Sequence, residues 1–223
     1  MADIDTTAAR RLADIRKRIA HAAELAGRDP AGIELIAISK TREAPDIAPL
    51  LAAGQASFGE NRVQEAEAKW PALREGRALR IHVVGQLQSN KAREAVALFD
   101  AIHSIDRPSL IEALARALGA SERRPDCFIQ VNIGEEAQKG GCAIADLPTI
   151  LQQARDAGLA VAGLMAVPPA EVEAAPYFAL LAKLARRHGL AGLSMGMSSD
   201  FETAVMLGAT HVRVGTALFG ERR

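Results

Sequence analysis

The chain has 223 residues, 27 basic against 27 acidic side chains and 49% hydrophobic residues. That balance excludes nucleic-acid or membrane binding driven by bulk charge, and the length is enough to bury a large core in one soluble domain over residues 1–223. Cys127 and Cys142 lack metal-ligand spacing, the N-terminus lacks the unbroken apolar stretch of a signal peptide, and no apolar segment approaches membrane-spanning length; the expectation is a cytoplasmic protein that binds no metal.

Thr6 to Leu25 read as an amphipathic helix, with Leu12, Ile15, Ile19 and Ala22 repeating at helical spacing among arginines. The pattern then alternates. Short apolar runs at 33–38, 56–59, 79–84, 101–105, 127–133, 160–165, 191–195 and 211–214 are separated by helical patterns at 45–53, 62–69, 91–98, 108–119, 146–157, 174–188 and 200–207. Eight strands alternating with helices imply parallel pairing and predict an α/β fold, a closed (β/α)8 TIM-type barrel with an extra N-terminal helix. An open doubly wound sheet is the alternative, but no Gly-x-Gly-x-x-Gly fingerprint follows the first strand. The piece 167–176, rich in Pro, Glu and Ala, reads as a loop before a helix.

In such barrels the chemistry gathers on the loops after the strands, and here the polar residues do gather there. Strand one ends at Lys40, strand two at Glu60-Asn61, strand three at Gly85 to Lys91, strand five at Asn132, strand seven at Ser194 to Ser198 and strand eight at Arg213 to Thr216. An ammonium at the mouth of a buried strand loses hydration, which lowers the amine pKa and makes Lys40 a candidate nucleophile for an aldehyde. The plainer alternative is a lysine that snorkels from a strand end.

The loops after strands seven and eight suit an anion, because barrels of this class often bind phosphate there through backbone amides and a helix N-terminus. Gly196 and Gly215 allow close backbone approach, Ser198 and Thr216 offer hydroxyls, and Asp200 opens a helical pattern. Ordinary turn and cap residues would look similar. A phosphate at those loops with an amine at strand one describes pyridoxal 5′-phosphate (PLP).

Seven motifs carry a family resemblance from Ile33 to Gly220: Ala37-Ile38-Ser39-Lys40-Thr41, Phe58 to Glu65, His82 to Lys91, Gln130-Val131-Asn132-Ile133, Gly163 to Ala166, Leu193 to Asp200 and Val212 to Gly220. With these the chain resembles the pyridoxal phosphate homeostasis proteins, single-domain barrels related to the barrel domain of alanine racemase. The resemblance implies that Lys40 holds PLP as a Schiff base, that Ser198, Gly215 and Thr216 hold its phosphate, and that Arg213 faces the pyridine nitrogen. Asn61, beside the expected lysine, either orients the ring hydroxyl or caps the second helix. The chain departs from the family at Ile81, often tryptophan, at Gln86, often proline, and in the loose loop Glu135 to Gly140.

A guanidinium can only donate, so Arg213 favours an unprotonated pyridine nitrogen and discourages carbanion chemistry. By resemblance a racemase also needs a tyrosine from a second domain, whereas Tyr177, the only tyrosine, lies in a helical pattern and reads as half-buried packing. The expectation is a monomeric carrier or buffer of PLP, without amino-acid turnover, serving PLP-dependent client enzymes; a PLP-dependent racemase or weak lyase is the alternative. His82 and His211 read as core histidines, Cys127 as packing, His103 as a residue near a strand end able to reach the rim, and Gln88 to Lys91 as a cap on the next helix. Arg10-Arg11 and Arg222-Arg223 are basic pairs too small to argue for nucleic acid.

Overall fold

The computed structural model describes residues 2–220; Arg222-Arg223 lie outside them. Helix α1 (Ala2–Leu25) precedes eight strands, β1 (Glu34–Ile38), β2 (Ser57–Glu60), β3 (Arg80–Val83), β4 (Ala101–Ile105), β5 (Asp126–Gln130), β6 (Val161–Met165), β7 (Gly192–Ser194) and β8 (His211–Val214). Between and after them come α2 (Ala44–Ala52), α3 (Val63–Arg74), α4 (Ala92–Leu98), α5 (Pro108–Gly119), α6 (Leu147–Asp156), α7 (Ala175–Arg187), α8 (Phe201–Met206) and α9 (Thr216–Phe219). All strand pairs are parallel, and β1 closes on β8 with Glu34 opposite His211 and Ile36 opposite Arg213. The expected (β/α)8 barrel with its additional N-terminal helix is the fold observed.

Helix α1 lies against α2, α8 and α9, over the seam where β1 meets β8. Leu12, Ile15, Ile19 and Ala22 are all buried there, as their spacing predicts; full burial of each larger side chain contributes roughly 1.5–3 kcal/mol. Arg18 adds a fork to the Glu202 carboxylate of α8, with Nη2 2.7 Å from Oε2. The main apolar core runs between the strands and the helices, where Trp70 of α3 meets Phe58 of β2 with ring centroids 5.0 Å apart. Cys127 and Cys142 are both buried and unbridged, and burial pushes each thiol up to about 12, so neither is a nucleophile at neutral pH. Tyr177 is half-buried on α7 against this core.

Inside the barrel the chemistry changes. Most such barrels fill this space with branched apolar side chains, yet here His82, His103, Ser194 and Arg213 are buried with Phe128. A Cβ on Gly192 would stand 2.9 Å from the Phe128 ring, so the absent side chain makes room for that ring. Phe128 stacks on His103 with centroids 4.4 Å apart.

Candidate functional site

Four neighbouring strands, β7, β8, β1 and β2, deliver the expected site residues to the C-terminal mouth of the barrel. Lys40 stands two residues past the end of β1, half-buried, and among the described residues its ammonium has no hydrogen-bond or ion-pair partner. Its backbone is held firmly. Lys69 Nζ donates to Ser39 O at 2.8 Å and to Arg42 O at 3.0 Å, bridging the turn that carries Lys40. Thr41 takes a left-handed φ of 61°, and its N–H donates to Glu65. Helix α2 then starts with a capping box between Glu43 and Asp46.

Behind this turn lies Glu60, fully buried at the end of β2. Its Oε1 accepts from Ser39 Oγ at 2.6 Å and from Trp70 Nε1 at 3.0 Å, and stands 2.8 Å from Lys69 Nζ. Burial raises the Glu60 carboxyl pKa despite those partners. Lys69, Trp70 and Ser39 were not among the expected site residues. The available signal was a carboxylate ending an apolar run, with a lysine and a tryptophan nine and ten residues on.

Asn61 follows β2 directly and is half-buried. The loop after β3 crosses it so closely that a Cβ on Gly85 would lie 2.4 Å from Asn61 O. On β8, Arg213 is buried and points inward: Nη1 donates to Ser194 O at 2.8 Å and to Ser194 Oγ at 2.6 Å, and Nη2 to Ala166 O at 3.0 Å. Three of its five N–H donors are thereby used. Burial pulls this guanidinium down to about 10, still cationic at neutral pH.

The loops after β7 and β8 meet, since Gly215 N donates to Ser198 Oγ at 3.3 Å. Their two glycines do different work. Gly196 has φ 92° and a Cβ there would come within 2.5 Å of the Ala204 Cβ, so it lets α8 pack against the β7 loop. Gly215 has φ −113°, and its nearest neighbour for a Cβ is Ile38 Cβ at 3.5 Å, an ordinary contact. The fold itself places no demand for glycine at 215. Thr216 is exposed and opens the single turn α9, and Asp200 Oδ1 accepts from Met197 N at 2.6 Å.

Three expectations need correction. His103 lies in the middle of β4, fully buried inside the barrel, rather than near a strand end at the rim; its strand alternation sends it inward. Gln88 to Lys91 provide no side-chain cap: Ser89–Lys91 form a short 3-10 turn and Lys91 Nζ pairs with Glu94 at 2.9 Å. The strand expected at 127–133 ends at Gln130, because the chain beyond it turns to bond its own loop, Asn132 N donating to Cys142 O. His82 is a buried core histidine as expected, and His211 is half-buried beside it. Of the departures, Ile81 is buried in β3 and Gln86 donates to Gln130 Oε1 at 2.7 Å.

The sequence model of the alanine racemase N-terminal domain family matches residues 11–223. The pyridoxal phosphate homeostasis protein of Pseudomonas aeruginosa is 41% identical over 97% of this chain and 96% of its own length. That of Escherichia coli K12 is 38% identical, with 96% of each chain covered. Among solved structures, PipY of Synechococcus elongatus with PLP bound superposes with a TM-score of 0.82 at 41% identity, over 96% of this chain and all of the other. Alanine racemase from Bacillus anthracis shares the barrel at a TM-score of 0.67 and 19% identity, over 93% of this chain and 56% of its own.

Proposed function

This chain belongs to the pyridoxal phosphate homeostasis protein family and carries its alanine racemase-type barrel, and from that membership we propose that it binds PLP covalently and reversibly at Lys40, as a carrier or buffer that does not turn over amino acids. The observation that carries the reading is that a lysine after β1, with no partner among the described residues, stands at the same end of the barrel as the joined loops after β7 and β8. PLP supplies an aldehyde that an amine can capture and a ring that can accept electrons.

The residues present fit that group. Lys40 Nζ has no partner among the described residues, so it is available to add to a carbonyl carbon with loss of water. Ser198 Oγ and Thr216 Oγ1 supply hydroxyl donors to a phosphate, and Gly215, whose N–H meets Ser198 Oγ, carries no side chain to stand in its way. Arg213 keeps two N–H donors beyond those spent on Ser194 and Ala166, since five less three is two. Donor-only chemistry there holds a ring nitrogen unprotonated and weakens it as an electron sink. We assign Asn61, which directly follows β2, to the ring hydroxyl. No tyrosine is positioned as an acid or base at the mouth among the described residues, Tyr177 being packed on α7. We place the protein in the cytoplasm, as a monomer, with PLP-dependent enzymes as recipients.

Incubating the PLP-loaded protein in substoichiometric amount with L-alanine or L-serine tests carriage against catalysis. A visible absorption band with no loss of enantiomeric purity is expected. Racemisation or elimination at ordinary enzymatic rates, about 1 s⁻¹ or more, would show an enzyme instead.

A further inference from the structure

A line of hydrogen bonds runs through the barrel from Arg213 to Glu34, at the start of β1. Its links are Arg213 Nη1 to Ser194 Oγ (2.6 Å), Ser194 Oγ to His103 Nδ1 (2.8 Å), His103 Nε2 to His82 Nδ1 (3.0 Å) and His82 Nε2 to Glu34 Oε1 (3.1 Å). The ends determine where every proton sits. Burial acts to raise the Glu34 carboxyl, but hydrogen bonds from His211, His82 and Ser57 outweigh it and hold the group far below the usual carboxylate range. An ionised carboxylate only accepts, so His82 carries its proton on Nε2. Burial lowers the His82 pKa and leaves that ring neutral, with Nδ1 bare. The next donor must therefore be His103 Nε2. Burial, reinforced by His82, His211 and Arg213, lowers His103 further, so its Nδ1 is bare too and accepts from the Ser194 hydroxyl. Ser194 Oγ, having donated, accepts from the guanidinium, which can do nothing but donate.

Resting on the reading that Arg213 faces the ring nitrogen, we propose that Ser194 and His103 are positioning residues for Arg213. They form, with His82, a one-way line of donors that fixes the guanidinium and couples its charge to Glu34 at the barrel floor. Neither end can exchange roles, so the line has a single direction. Its surroundings are consistent with that. His211 of β8 sits 3.2 Å from Glu34 Oε2, Arg80 of β3 brings Nε to 3.5 Å of Glu34 Oε1, Ser57 of β2 donates to the same oxygen, and Phe128 of β5 covers His103 with an apolar face. Asp200 of the β7 loop acts on Arg213 by charge. Were these side chains only satisfied polar packing, loss of the Ser194 hydroxyl would leave Arg213 where it is.

The test uses the cofactor-free protein first. Long-range ¹H–¹⁵N correlation of the imidazoles at pH 7 should show His82 and His103 both neutral and protonated on Nε2; a proton on Nδ1 of either ring, or an imidazolium, overturns the line. In the same protein the Arg213 guanidinium N–H signals should exchange slowly, at least about tenfold faster in Ser194→Ala, and slowly again in Ser194→Thr, which restores a hydroxyl. Unchanged exchange in folded Ser194→Ala would remove the positioning role. With PLP added, the pH midpoint of the visible band should move by about one unit in Ser194→Ala, a tenfold change in proton affinity, and return in Ser194→Thr. If the wild-type protein gives no visible band, the Lys40 reading fails, while the tautomers and the guanidinium exchange still decide the line.

Discussion

Two hydroxyls and one buried imidazole illustrate how much single residues carry. Ser198 and Thr216 are the donors we assign to the phosphate, and hydrogen bonds to charged groups contribute roughly 1.5–3 kcal/mol each. The double variant Ser198→Ala/Thr216→Ala should bind PLP at least about tenfold more weakly in a spectroscopic titration, and bind pyridoxal almost as well as the wild type. Equal losses for both ligands would instead indicate a collapsed loop. His103 makes a prediction about stability. Burial lowers its pKa in the folded state, so below the ordinary histidine value of about 6.5 the unfolded chain takes a proton that the folded chain refuses. Stability is then complete above pH 6.5 and declines as pH falls, by up to about 1.4 kcal/mol per pH unit for that proton. His103→Gln, which never titrates, should show a correspondingly shallower fall between pH 6.5 and 5 in denaturant melts, and an unaltered slope would contradict a buried neutral ring.

At the level of elements, the turn between β1 and α2 depends on α3. Lys69 of α3 bridges Ser39 O and Arg42 O while sitting 2.8 Å from the fully buried Glu60. Lys69→Met leaves that carboxylate without its cation, a change of about 3–5 kcal/mol for a buried pair. A lowered Tm and weaker PLP capture are expected together, and Lys69→Met/Glu60→Leu should regain much of the Tm without regaining the capture. Much of this layer was legible beforehand. Strands 101–105 and 211–214 and the helix 108–119 fall where their patterns put them. Helix α3 was expected over 62–69 but continues to Arg74, because Trp70 is buried under Phe58 and Pro71 falls in the last turn. Helix α9 is a single turn, too short for any period to show. That Lys40, Asn61, Ser198, Arg213, Gly215 and Thr216 fall at or just beyond strand ends was legible because strand ends mark the rim, whereas the roles proposed for them come from the family resemblance. Glu60 was legible as a strand end but its link to Lys69 of α3 was not, since the partner comes from another element. The interior line could not be named, since a strand buried on both faces gives no alternation to say which side chains enter the barrel.

The whole molecule makes the site by closing. Lys40 and Asn61 come from one side of the seam, Ser198, Arg213, Gly215 and Thr216 from the other, and α1 covers the join. Only the folded barrel brings Lys40 and the loops after β7 and β8 to one end of the molecule, whereas an unfolded chain offers six comparable amines, Lys17, Lys40, Lys69, Lys91, Lys139 and Lys183. The most direct test is therefore to load the native protein with PLP, reduce it with borohydride and map the modified peptide, with a parallel sample treated in concentrated urea. The account predicts a pyridoxyl group on Lys40 alone in the native sample, its loss in Lys40→Ala, and label scattered over several lysines in urea. A native adduct mainly on another lysine, Lys91 or Lys69 for example, would contradict it.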